Sequence, residues 1–126
     1  MKINSILLFV VAIVLFSCYN DNKEELYPEL TSGCDTTNVT YTSSVVPLLN
    51  SYCLSCHSNS AANGAGGGIK LENYPDVSVY ALNGKLVGSV KQLGGYFPMP
   101  KNAGKLSDCK VRQIDKWVSK GAPNNE

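Results

Sequence analysis

Apolar and polar positions divide the chain into three parts. Ile6 to Phe16 is an unbroken apolar run behind the short positive start Met1-Lys2. Residues 18–33 carry Asp21, Glu24, Glu25 and Glu29 against Lys23 and show no apolar periodicity, which predicts a solvated tether. From Cys34 to Asn124 the pattern is that of one compact domain, helical with long loops. Val45, Val46, Leu48 and Leu49 follow Thr42-Ser43-Ser44 and predict a capped helix running to about His57, with Pro47 in its first turn. Four glycines crowd the end of the loop Ser58 to Gly68. Tyr74 to Leu82 predicts a short helix ended by Asn83-Gly84, and Lys85 to Leu93 a second one stopped by Gly94-Gly95. Proline spacing makes Phe97-Pro98-Met99-Pro100 extended. The last helix has the clearest signature. Ser107 stands at its N-cap, Val111, Ile114, Trp117 and Val118 recur at helical spacing, and Gly121 with Pro123 ends it. No run alternates well enough to demand a sheet, so the fold class is all-α.

Composition narrows the function. The chain has 126 residues with 11 basic and 10 acidic side chains, a net charge of +1 that excludes a dedicated nucleic-acid binder. A hydrophobic content of 44% is that of a globular protein and not of a disordered one. The charge is unevenly shared, with an acidic tether and a mildly basic domain.

The apolar run at the start is too short for a hydrocarbon core of about 30 Å and has the length of a signal-peptide core. Leu15-Phe16-Ser17-Cys18 follows it and resembles a bacterial lipobox, in which the cysteine is lipidated and begins the mature chain. Phe16 stands where a smaller residue is usual, and an ordinary signal peptide with an incidental cysteine is the alternative. The division is therefore residues 1–17 signal peptide, 18–33 tether and 34–124 domain.

Cys53-Leu54-Ser55-Cys56-His57 carries the chemistry. C-x-x-C-H is the attachment signature for c-type haem. Two thiols on one helical turn each take a vinyl group, and the adjacent histidine coordinates iron. A redox dithiol wants a βαβ context, and a zinc site wants a second ligand pair; neither pattern is present. His57 is the only histidine, so a second axial histidine within the chain is excluded. Met99 is the only methionine left once Met1 departs with the signal peptide, and Pro98 and Pro100 restrict its loop. The alternative for Met99 is a loop residue packed under an aromatic ring, which includes an open, five-coordinate haem.

In the order of N-terminal helix, C-x-x-C-H, glycine-rich loop, Pro-Met-Pro loop and C-terminal helix, residues 40–122 resemble a class I monohaem cytochrome c. The resemblance is nearest to the small cytochrome modules of bacterial envelope lipoproteins. It implies about four short helices wrapped around one covalent haem c, with Cys53 and Cys56 as thioether attachments, His57 as proximal ligand and Met99 as distal ligand. It also implies that Val46, Leu49, Ile114 and Trp117 share the core between the terminal helices. Gly64 to Gly68 is looser than in mitochondrial-type members. Under this reading Cys34 and Cys109 remain, and an oxidising compartment makes them a disulfide, two free buried thiols being the alternative.

The resulting expectation is a monomeric one-electron carrier, not an enzyme. It is lipid-anchored in the bacterial envelope, on the periplasmic side or in the outer membrane, where Lys23-Glu24-Glu25 resembles a surface-export signal. Its partners would be redox proteins of the envelope electron-transfer chain, steered by lysines 85, 91, 101, 105, 110, 116 and 120. The competing readings are a peroxidase-like haem enzyme with an open sixth position and a structural or binding lipoprotein without haem.

Overall fold

The computed structural model describes residues 33–126, and Cys34–Glu126 form one compact unit. The segments expected to be a signal peptide and a tether, and Cys18, the expected lipidation site, lie outside the described residues. Every regular element among the described residues is helical, and none of these helices is long and apolar enough to cross a membrane. A wide π-helical turn at Tyr41–Val45 leads into α1 (Val46–Tyr52) and then α2 (Leu54–His57). After a long loop come α3 (Tyr74–Leu82), α4 (Lys85–Lys91) and, beyond the methionine loop, α5 (Asp108–Ser119).

The start of the first helix differs from the sequence expectation. Thr40 is the cap, rather than Thr42 or a neighbouring serine as expected, its hydroxyl accepting the Ser43 N–H at 3.1 Å. Pro47 has no N–H to give and its ring crowds the preceding turn. The chain meets this by opening that turn, so that the Val46 N–H bonds back to the Tyr41 carbonyl. The added residue rotates the face: Val45, Leu48 and Leu49 are buried, and Val46 packs half-buried beside them.

Two helix ends close in the same way. Gly121 turns left-handed with its N–H on Val118 O, and the Ala122 N–H returns to Trp117 O, as a Schellman cap requires. At α4 the left-handed residue is Gln92, with its N–H on Ser89 O and the Leu93 N–H on Gly88 O. Helix α4 therefore stops before Gly94-Gly95. Ser107 holds the N-cap position of α5 without a side-chain cap bond.

The core joins both ends of the domain. Trp117 is fully buried, its indole N–H donates to Pro123 O at 2.9 Å, and its ring lies 5.5 Å from that of Tyr41. Tyr74 meets Tyr41 edge-on at 5.1 Å and donates its hydroxyl to Ala122 O. Asn125 accepts the Tyr41 N–H through its side chain and the Thr42 N–H through its carbonyl. Val111 and Ile114 of α5 complete the cluster with Leu49, Val77, Leu86 and Val90. The Cys34–Cys109 disulfide, with Cα atoms 5.4 Å apart, ties the first described residues to the first turn of α5.

Candidate functional site

Cys53 to His57 form one turn that continues from helix α1, which buries Leu48 and Leu49. The backbone bends at Cys53, between α1 and α2, yet the hydrogen-bond ladder runs through the bend. The Cys53 N–H donates to Leu49 O at 2.8 Å, and the Cys53 carbonyl accepts the N–H groups of Cys56 at 3.1 Å and His57 at 2.8 Å. Residues three apart on a helical turn share a face, so this geometry presents the two thiols together. Both are unpaired: Cys53 is half-buried against the core and Cys56 is exposed. Burial pushes the Cys53 thiol up to about 11. A thiol so firmly protonated is a poor nucleophile for disulfide exchange.

The His57 side chain is buried, with 8% exposure. Its Nδ1 lies 2.9 Å from the carbonyl oxygen of Ile69. A carbonyl can only accept, so this bond assigns a hydrogen to Nδ1, and in the neutral imidazole the lone pair is then on Nε2. Among the described residues Nε2 has no hydrogen-bond partner. Two further bonds hold the strap that supplies the carbonyl. The Leu71 N–H donates to His57 O at 2.8 Å, and the Asn59 N–H donates to the Glu72 carboxylate. Gly66 packs close against the same Nδ1 edge of the ring. A Cβ there would overlap the Cys56 carbonyl and stand 2.9 Å from His57 Nδ1, so only glycine fits.

Met99 lies in a loop without helix, between Pro98 and a cis bond to Pro100. Its N–H donates to Ser89 O of α4 at 3.1 Å, and the residue is half-buried. No hydrogen bond joins it to the 53–57 turn among the described residues. The loop and the turn hang from a common core, since α4 packs on α5 and α5 on the opening π-turn.

The sequence reading missed the Ile69 carbonyl, Gly66 and Glu72. A backbone carbonyl leaves no mark in a sequence, and nothing in the glycine run distinguishes Gly66 from its neighbours. The seven lysines also differ from one another. Lys91 pairs with Asp115 at 2.9 Å, Lys110 lies over the Tyr52 ring and donates to its hydroxyl, and Lys120 reaches Thr37 O. Lys85, Lys101, Lys105 and Lys116 have no ion pair among the described residues.

The donor set selects among the chemistries. Among the described residues no group of three or more His, Cys, Asp or Glu side chains converges to hold a metal ion, as a structural zinc site requires. Cys34 and Cys109 are spent on each other. What stands ready is a thiol pair on one turn beside an imidazole whose Nε2 is free and whose tautomer is fixed. These residues fit a covalently attached haem. Comparison of the chain with protein-family models, with curated proteins and with solved structures finds no match.

Proposed function

We propose that the protein is a one-electron carrier of the monohaem cytochrome c kind, anchored through a lipidated Cys18 in a bacterial envelope. Cys53 and Cys56 would hold a haem c through their sulfurs, with His57 Nε2 and the Met99 sulfur as the protein donors to its iron. When bound, the haem supplies the one-electron couple. The observation that carries this reading is the His57 Nδ1–H···O=C Ile69 bond within a C-x-x-C-H turn. A ligating histidine needs its second nitrogen held by an acceptor of this sort, which fixes ring orientation and raises ligand basicity.

The remaining residues act around that ligand. Gly66 and the strap from Ile69 to Glu72 keep the imidazole in one orientation, so no side-chain rearrangement need accompany a change of oxidation state. With Met99 on the iron no position stays open to substrate, which separates a carrier from a peroxidase-like enzyme. Lys85, Lys101, Lys105 and Lys116 would add to a mild positive surface for acidic redox partners of the envelope chain.

The test is the visible spectrum of protein matured in a bacterial periplasm. Low-spin c-type bands, a methionine–iron charge-transfer band in the oxidised form and reversible reduction are expected. A high-spin spectrum would support an enzyme instead, and a colourless protein a lipoprotein without haem.

A further inference from the structure

Helix α4 carries two glycines one turn apart, Gly84 at its N-cap position and Gly88 in its interior. Glycine inside a helix is unfavourable relative to alanine, so Gly88 calls for a packing reason. The ring of Tyr96 provides one. A Cβ at Gly88 would stand 2.5 Å from Tyr96 Cδ1 and 2.6 Å from Cε1 and Cγ, and a Cβ at Gly84 3.8 Å from the Tyr96 hydroxyl oxygen. The ring therefore lies lengthwise along the groove that the two glycines leave. Three residues later the Met99 N–H bonds to Ser89 O, next to Gly88. The segment from Tyr96 to Met99 is thus fastened at both ends to a single turn of α4.

We propose that Tyr96, seated in the Gly84–Gly88 groove, is the positioning residue that presents the Met99 sulfur to the iron. The proposal rests on Met99 as the distal ligand and adds what holds it there. An irregular loop loses conformational entropy when its methionine is ordered, and a ring that packs one face on α4, though Tyr96 stays 40% exposed, removes part of that loss beforehand. Gly88 acts only by leaving room. Any side chain there would meet the ring itself rather than a flexible chain end.

The test compares holoproteins of the full chain by the methionine–iron charge-transfer band and by the affinity of the ferric form for imidazole. Tyr96→Ala and Gly88→Ala are expected to keep covalent haem, weaken the band and bind imidazole about tenfold more tightly, as the population with sulfur off the iron grows. Tyr96→Phe keeps the ring and is expected to behave as wild type. The double variant Gly88→Ala, Tyr96→Ala is expected to be no worse than Tyr96→Ala, because the clash disappears with the ring. Wild-type imidazole affinity in both Tyr96→Ala and Gly88→Ala would overturn the proposal. A Met99→Ala holoprotein that retains the band would overturn the ligand assignment beneath it.

Discussion

The Nδ1 of His57 sits 2.9 Å from the backbone carbonyl of Ile69, twelve residues further along the chain. One side chain and one peptide group thereby determine which ring nitrogen is free and where the ring is aimed. The surrounding loop serves this contact, with Gly66 on the ring's flank and Glu72 fastening the strap.

Gly66→Ala is expected to disturb the site at its base. The new methyl overlaps the Cys56 carbonyl and crowds His57 Nδ1, so either the strap or the motif must move. Overpacking of this sort costs about 1–3 kcal/mol. Chemical denaturation is expected to show the loss, together with a lower yield of haem-bearing protein. Gly64, whose nearest neighbour would be an ordinary 3.9 Å contact, is the control and is expected to tolerate alanine.

The disulfide is expected to support stability and not redox function. It closes a span of 75 residues, and a cross-link over such a loop is worth about 2–5 kcal/mol. The double variant Cys34→Ser, Cys109→Ser should unfold at lower denaturant while keeping the wild-type visible spectrum. Mass spectrometry of unreduced mature protein checks the bond itself: two alkylatable thiols at these positions would rule it out.

Much of the helix map was readable because prolines and glycines punctuate it. Helix α3 begins at the Tyr74-Pro75 step and ends before Gly84, and α5 fills the span between Ser107 and Gly121, as their sequences indicate. The errors have local causes. The π-turn before Pro47 adds a residue to the turn, which put the cap at Thr40 instead of at Thr42 or a neighbouring serine and made Val45 more buried than Val46. Gln92 took the left-handed cap position of α4 because the two backbone bonds of a Schellman motif can hold a residue that lacks glycine's freedom. At the candidate site, the grouping of Cys53, Cys56 and His57 on one turn was legible from their spacing. The Ile69 carbonyl, the Glu72 clamp and the seat of Tyr96 on Gly88 were not, because each depends on tertiary contact between segments that share no motif.

The two motif thiols should differ in reactivity in haem-free protein. Burial holds Cys53 protonated up to about 11, whereas Cys56 is exposed. Iodoacetamide at neutral pH is expected to label Cys56 well before Cys53. The same shift has a definite sign for stability. From the ordinary thiol value of 9.0 to about 11 the unfolded chain releases the proton first, so the haem-free domain should lose stability as pH rises through that window. Equal labelling rates would show that Cys53 is not shielded.

The most direct measurement is peptide mass spectrometry of the mature protein from a periplasm that attaches haem. The account predicts one haem on the fragment containing Cys53, Cys56 and His57, bound through both sulfurs, and none on a His57→Ala protein, which should accumulate without stable holoprotein. A wild-type fragment with two unmodified thiols, or a normal holoprotein yield from His57→Ala, would contradict it.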